Sequence, residues 1–132
     1  MTRIELERIN INRLFKESSL PVVTLDSMAS CGKHMHIIGG YIEGKTIFHT
    51  GIIDYGPQCG EVWSRIEDMK YRMSAASNIR DLIDHIACHD GYREIVSSVQ
   101  KGNTQLNRWS EWLGMEYIGS TEFHDHFKWR GI

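Results

Sequence analysis

The run from residue 34 to residue 67 constrains this chain most. His34 to Ile42 is rich in β-branched and aromatic residues, Glu43-Gly44-Lys45 is a turn signal, and Thr46 to Tyr55 repeats the strand character. Gly56-Pro57-Gln58-Cys59-Gly60 interrupts the run and Glu61 to Glu67 resumes it. Three strands joined by short connections form an antiparallel meander. The period then changes. Ile79, Leu82, Ile83 and Ile86 share one helical face, Arg80, Asp81 and Asp84 lie off it, and Gly91 stops the helix. Glu94 to Val99 reads as a strand. A connecting helix of about fourteen residues returns the chain to a parallel neighbour, so 94–99 is expected beside and parallel to Glu61–Glu67.

The two ends complete the order. Ile4 and Leu6 alternate with Arg3, Glu5 and Glu7, a short first strand. Asn10 to Ser18 carries Ile11, Leu14 and Phe15 at helical spacing, a single short amphipathic helix. Val22 to Leu25, after Pro21, reads as a strand or a packed loop. Near the C-terminus Asn103 or Thr104 caps a second helix, with Leu106, Trp109 and Leu113 expected inward and Gly114 as its C′ residue. Met115 to Gly119 and Phe123 to Trp129 are two closing strands. The order is β-α-β-β-β-α-β-α-β-β. It implies one α/β domain over residues 1–132: a mixed sheet with an antiparallel N-terminal meander, a parallel strand pair in the centre and helices on both faces.

Charge and composition exclude several classes. Fifteen Lys+Arg against seventeen Asp+Glu give a net charge of −2, which supplies no electrostatic drive towards nucleic acid. No apolar run approaches the ~20 residues of a membrane span. Met1-Thr2-Arg3-Ile4-Glu5 lacks a signal-peptide apolar core, so the expected location is cytoplasmic. Cys31, Cys59 and Cys88 are an odd, widely spaced set that fits free thiols in a reducing compartment.

One junction carries a resemblance. Arg72-Met73-Ser74-Ala75-Ala76-Ser77 lies between the third meander strand and the following helix. It resembles the Q/R-x-x-G-x-G/A segment of the GNAT (GCN5-related N-acetyltransferase) superfamily, with Ala75 and Ser77 where glycines would stand. Asn103 follows Ser77 by 26 residues, the spacing at which that superfamily places an Asn at the end of its fifth strand. Trp112-Leu113-Gly114-Met115-Glu116-Tyr117-Ile118-Gly119 fills the place of its Leu-Gly-Phe-like turn. Gly60-Glu61-Val62-Trp63 and Arg108-Trp109-Ser110-Glu111-Trp112-Leu113-Gly114 are similar to segments of short phage members, the internal virion protein A of T7-like phages among them. The resemblance covers about Met35 to Trp129. Its front is short, leaving little room for two helices between the first two strands.

The resemblance implies direct transfer of an acetyl group from acetyl-coenzyme A to an amine. It implies that Arg72, the N–H groups of Met73, Ser74, Ala75, Ala76 and Ser77, and Asn103 hold the co-substrate, because backbone donors at a helix N-terminus suit a pyrophosphate. Amides near Glu67 to Met69 would polarise the thioester carbonyl, provided the third meander strand and strand 94–99 splay apart. Glu61 lies eleven residues before Arg72, where some members carry the general base. Ser110 stands where many carry a tyrosine acid, a shorter and far less acidic donor. The implied acceptor is a small-molecule or protein amine, and the implied partners are a second copy or a virion component. The alternative is a non-enzymatic phage virion or host-interaction protein that keeps a degenerate form of the fold.

Other polar clusters read more simply. His85 and His89 stand at i, i+4 with Cys88 between, a spacing that can hold zinc, but without a defined third and fourth ligand. Surface histidines near a helix C-terminus, where the dipole favours their charge, are the simpler reading. His34 with His36 and His124 with His126 each share a strand face, as rim histidines or a metal edge. No metal site is expected. Trp63, Trp109, Trp112 and Trp129 have no basic residues interleaved with them beyond Arg65, Arg108 and Lys128, too few for a nucleic-acid stacking surface. Trp112 lies off the inward helical face, where an exposed ring would mark a protein contact. Cys59 has no base in its pattern that would make it a nucleophile.

Overall fold

The computed structural model describes residues 3–30, 35–56, 58–89 and 91–129. Cys31, His34 and Pro57 lie outside the described residues. The meander forms as expected: β2 (Met35–Ile42), β3 (Lys45–Gly56) and β4 (Cys59–Ile66) pair antiparallel in sequence. Glu43 and Gly44 both have positive φ (50° and 79°), the two-residue turn whose twist matches its strands. The first strand, β1 (Glu5–Ile9), adds antiparallel to β2. Beyond the meander lie α3 (Arg72–His89), β5 (Glu94–Gln100), α4 (Thr104–Trp112), β6 (Met115–Ser120) and β7 (His124–Trp129). The strand order is β1-β2-β3-β4-β5-β7-β6, antiparallel everywhere except the β4–β5 pair. The mixed sheet and its central parallel pair are therefore as expected.

The front of the chain departs from expectation. Two helices, not one, connect β1 to β2: α1 (Ile11–Glu17), capped by the Asn10 side chain on Arg13 N, and α2 (Val22–Ala29). The β-branched pair Val22-Val23 suggested a strand or packed loop, yet both side chains lie exposed in the first turn after Pro21. Pro at a helix start costs no hydrogen bond, and Leu25 and Met28, three apart, supply the buried stripe that decides for helix. Leu6 is exposed, whereas Ile4 and Ile9 are the buried residues of the first strand region.

Helices cover both faces. Leu14, Leu25 and Met28 pack against Ile9, Ile37 and Tyr41 on one face. Ala75, Ile79, Ile83 and Ala87 of α3, with Leu113 just past α4, pack against Phe48, Ile52, Val62, Ile95, Val99 and Phe127 on the other. The α3 and α4 stops fall at Gly91 (φ 73°) and Gly114 (φ 91°), as the sequence indicates. The inward face of α4 is rotated from the expected one. Leu106 is exposed, Trp109 is partly buried, and Ser110 is 5% exposed. The reason is that Asn107 also turns inward, donating from Nδ2 to Asp125 Oδ2 at 3.0 Å.

Candidate functional site

The central feature is where the parallel ladder stops. β4 and β5 pair only through Cys59↔Glu94, Gly60↔Ile95 and Glu61↔Val96. Beyond Glu61 and Val96 the strands continue, to Ile66 and Gln100, without pairing. The ladder thus breaks where the resemblance required a splay. It opens towards the C-terminal end of β4, which leads through a 3-10 turn (Met69–Tyr71) straight into α3.

The open edge of β4 carries backbone donors. Glu67 N donates to Ile47 O at 2.8 Å and Asp68 N to the same oxygen at 3.1 Å. The amides of Glu67 and Asp68, expected to polarise a thioester, are thus committed to β3, and Met69 is an exposed residue opening the 3-10 turn. N–H groups alternate sides along an antiparallel ladder. With Glu67 facing β3, the amides of Ser64 and Ile66 face β5 across the splay.

The segment expected to cradle phosphates is already helical. Tyr71 N bonds Asp68 O at 3.1 Å, and the Arg72 amide bonds Met69 O as α3 begins. With alanine and serine in place of glycine, nothing breaks the helix before Arg72. Once α3 starts there, the amides of Ala75, Ala76 and Ser77 fall inside the i→i−4 ladder, and the donors open to an anion narrow to Met73 and Ser74. Met73, Ser74 and Ser77 are exposed, whereas Ala75 and Ala76 are buried in the core. Arg72 is exposed and its Nη1 donates back to Met69 O at 3.2 Å. Asn103 caps α4, its Oδ1 accepting from Leu106 N at 3.0 Å, so its amide nitrogen is the part left for a ligand. Ser110 lies buried on α4 on the α3 side of the sheet.

Glu61 sits at the vertex of the splay. It lies opposite Val96 on β5 and Ile53 on β3, on the face that carries α1 and α2. Its Oε1 accepts from the Tyr55 hydroxyl at 2.5 Å, and it is half-buried. One step along β5 on the same face, Ser98 Oγ lies 3.1 Å from His126 Nδ1, and His126 Nε2 lies 3.1 Å from Thr121 Oγ1.

A second polar centre had no sequence signal. His49 is fully buried, its Nε2 3.1 Å from Glu17 Oε1 and its Nδ1 3.6 Å from Glu67 Oε2. Tyr41 donates its hydroxyl to Glu17 at 2.5 Å, and Arg13 Nε donates at 2.8 Å. Burial alone would raise the Glu17 carboxyl; the hydrogen bonds from Tyr41, Arg13 and His49 outweigh it and hold the group below the usual carboxylate range. The same burial, with the carboxylate beside it, pushes the Tyr41 phenol up. Glu67 accepts from Ser19 N at 2.8 Å and from the Ser19 hydroxyl. The side chain of Glu67 therefore ties the α1–α2 connection to the end of β4. Residues 32 and 50 positions apart in the chain meet here, which no local pattern could announce.

The remaining clusters fall into place. His85 and His89 are exposed and their rings stack at 5.4 Å, and among the described residues no group of three or more His, Cys, Asp or Glu side chains could hold a metal. His124 and His126 tilt 6.4 Å apart, and His36 is half-buried. Cys59 and Cys88 are free. Trp112 is partly exposed, as expected, but stacks on Trp109 at 6.2 Å and carries Arg80 over its ring, so it bridges α4 to α3. No described helix is long and apolar enough to cross a membrane.

Comparison with known proteins separates fold from sequence. No family model matches the chain, and no curated protein matches it in sequence. Solved structures do. The GNAT domain of S. lividans PAT aligns over 96% of this chain and 89% of its own, with a TM-score of 0.75 and 14% identity. An N-acetyltransferase from Staphylococcus aureus Mu50 aligns over 96% and 97%, with a TM-score of 0.74 and 14% identity. Campylobacter jejuni N-acetyltransferase PseH, in complex with acetyl coenzyme A, aligns over 96% and 97%, with a TM-score of 0.68 and 9% identity. The chain has the GNAT fold.

Proposed function

We propose that this protein is an acetyl-coenzyme A-dependent N-acetyltransferase that passes the acetyl group directly to an amine. The observation that carries this reading is the break in the β4–β5 ladder after Glu61 and Val96, at whose open end the first turn of α3 presents its amides. The pyrophosphate would lie at that turn beside Arg72, and the thioester would reach the splay, where the Ser64 and Ile66 amides can hold its carbonyl oxygen. The acceptor, a small-molecule or protein amine, would approach from the α1–α2 face. Glu61, directly or through a water, would take its proton. The thiolate would leave beside α4. The buried Ser110 would be its only hydroxyl on that helix's inner face, and a tyrosine at 110 would have to displace packed neighbours.

Calorimetric titration with acetyl-coenzyme A tests this directly. Micromolar binding is expected. No binding at millimolar ligand would overturn the reading and leave a protein that keeps the fold for contact with a virion or host component, as the resemblance to phage members suggests.

A matched variant locates the phosphates. Ala75→Leu is unsuitable, because a leucine in that fully buried position overpacks the core at a cost of about 1–3 kcal/mol. Ser74→Glu is the better probe: Ser74 is exposed in the first turn, and a carboxylate there favours the helix dipole while repelling a pyrophosphate. Affinity is expected to fall at least about tenfold while the melting temperature holds or rises. Unchanged affinity would remove α3 from the site. Arg72→Ala should weaken binding less, since the amides and dipole remain.

A further inference from the structure

We infer that Tyr55 is a positioning residue for Glu61: its hydroxyl holds the carboxylate in the orientation from which the acceptor amine is deprotonated, an inference that rests on the reading above. The backbone of Glu61 is fixed from both sides, opposite Ile53 on β3 and opposite Val96 in the last β4–β5 pair. Towards β5 the ladder ends at that pair. Towards β3 the register skips from Asp54↔Gly60 to Gly56↔Cys59, so Tyr55 is the extra residue of a β-bulge. Glu61 therefore stands between two irregularities, one on each neighbouring strand. Tyr55 follows Ile53 by two residues, which puts its ring on the face of Glu61. Its hydroxyl donates to Glu61 Oε1 at 2.5 Å, within the range of a charge-assisted O–H···O⁻ bond.

Pairing on both sides fixes the Cα of Glu61 and leaves its side chain as the part still free to move. A half-buried glutamate keeps much of its rotamer freedom. A general base has to meet its proton within hydrogen-bond reach, and a misplacement of about 1 Å can cost about a hundredfold in rate. The Tyr55 bond removes that freedom. It occupies Oε1 and leaves Oε2 for the amine. Burial is not what the tyrosine chiefly supplies, because Tyr55 is 60% exposed. A scattered exposed aromatic is ordinary on a protein surface. This one is set apart by its polar tip, which rests on the carboxylate at the vertex of the splay, and by the bulge that carries it there. Bulges recur beside active sites, where they re-aim a side chain. Tyr55 and Glu61 are six residues apart across the β3–β4 connection, so bulge, turn and base form one local unit.

Rate, affinity and stability together separate this role from others. The substrate is whichever primary amine of a panel the wild type turns over fastest, read as release of coenzyme A thiol. Tyr55→Phe removes the hydroxyl alone. It should lower kcat about 3- to 10-fold, the range for one hydrogen bond. The KM for the amine, the affinity for coenzyme A and the melting temperature should stay as in wild type. The same change made in Glu61→Gln should cause no further loss, because no base is left to aim. An unchanged kcat and KM in Tyr55→Phe, or an equal fall in both backgrounds, would overturn the inference while leaving the acetyltransferase reading intact. A raised amine KM with kcat held would overturn it by making Tyr55 a wall of the acceptor path. A lowered melting temperature would overturn it by showing a structural role. A Glu61→Gln protein as active as wild type would overturn it by moving the base elsewhere. A wild type that transfers acetyl to no amine of the panel would overturn the acetyltransferase reading and this inference with it.

Discussion

Glu61→Gln is expected to lower acetyl transfer by about two to four orders of magnitude, the usual worth of a positioned general base. Glutamine keeps the size of the side chain and can still accept from the Tyr55 hydroxyl, now 2.5 Å from Glu61 Oε1. It cannot take the proton of an ammonium. Coenzyme A affinity should hold, because Glu61 lies on the face of α1 and α2, away from the first turn of α3 where the pyrophosphate is expected. The measurement is coenzyme A thiol release with a panel of primary amines, alongside calorimetry of both proteins. A fully active variant would move the base elsewhere, with His36, His124 and His126 next in line. His126 is the best placed, because it and Ser98 share the face of Glu61 one step along the splay.

Glu17→Ala should have the largest effect on stability, about 2–4 kcal/mol, or roughly 10 °C in melting temperature. Its carboxylate is the acceptor for the Tyr41 hydroxyl and for Nε2 of the fully buried His49. Alanine leaves both without a partner, and burial prevents water from replacing it for His49. The Arg13 pair adds little, since Arg13 is well exposed. The pH dependence has a definite sign. The folded Glu17 carboxyl is held below its ordinary value, so its contribution is full above the unfolded carboxylate range near pH 4.3. It is lost as pH falls through the lower, folded value. Acid unfolding of wild type should therefore be steeper than that of Glu17→Ala. Equal melting temperatures for the two proteins at neutral pH would show that the buried network is not what holds α1 to the sheet.

Much of the architecture was legible because it depends on near neighbours. The period change after residue 67, the Glu43-Gly44 turn and the glycines at 91 and 114 each act over a few residues, and each fell where it was read. The parallel pairing of β4 and β5 was legible too, because a helix-length crossover has few ways to return. The second helix was missed because Val22 and Val23 carry strand propensity. The buried contacts of Leu25 and Met28 override it. Leu106 was placed inward by hydrophobicity alone, whereas the Asn107–Asp125 hydrogen bond sets the rotation of α4.

The site divides along the same line. Residue types and spacing carried only a resemblance, the order in which Glu61, Arg72 and Asn103 follow one another, since spacing along the chain is a covalent property. Only the tertiary structure decided what each can still do. Ladder geometry commits the Glu67 and Asp68 amides to Ile47 and turns those of Ser64 and Ile66 to the splay. Helix continuity back to Arg72 withdraws the Ala75, Ala76 and Ser77 amides. Packing buries Ala75 and Ser110. A hydrogen-bonding group is available or spent according to what lies within about 3 Å of it, and that neighbour is set by the fold and not by the order of residues.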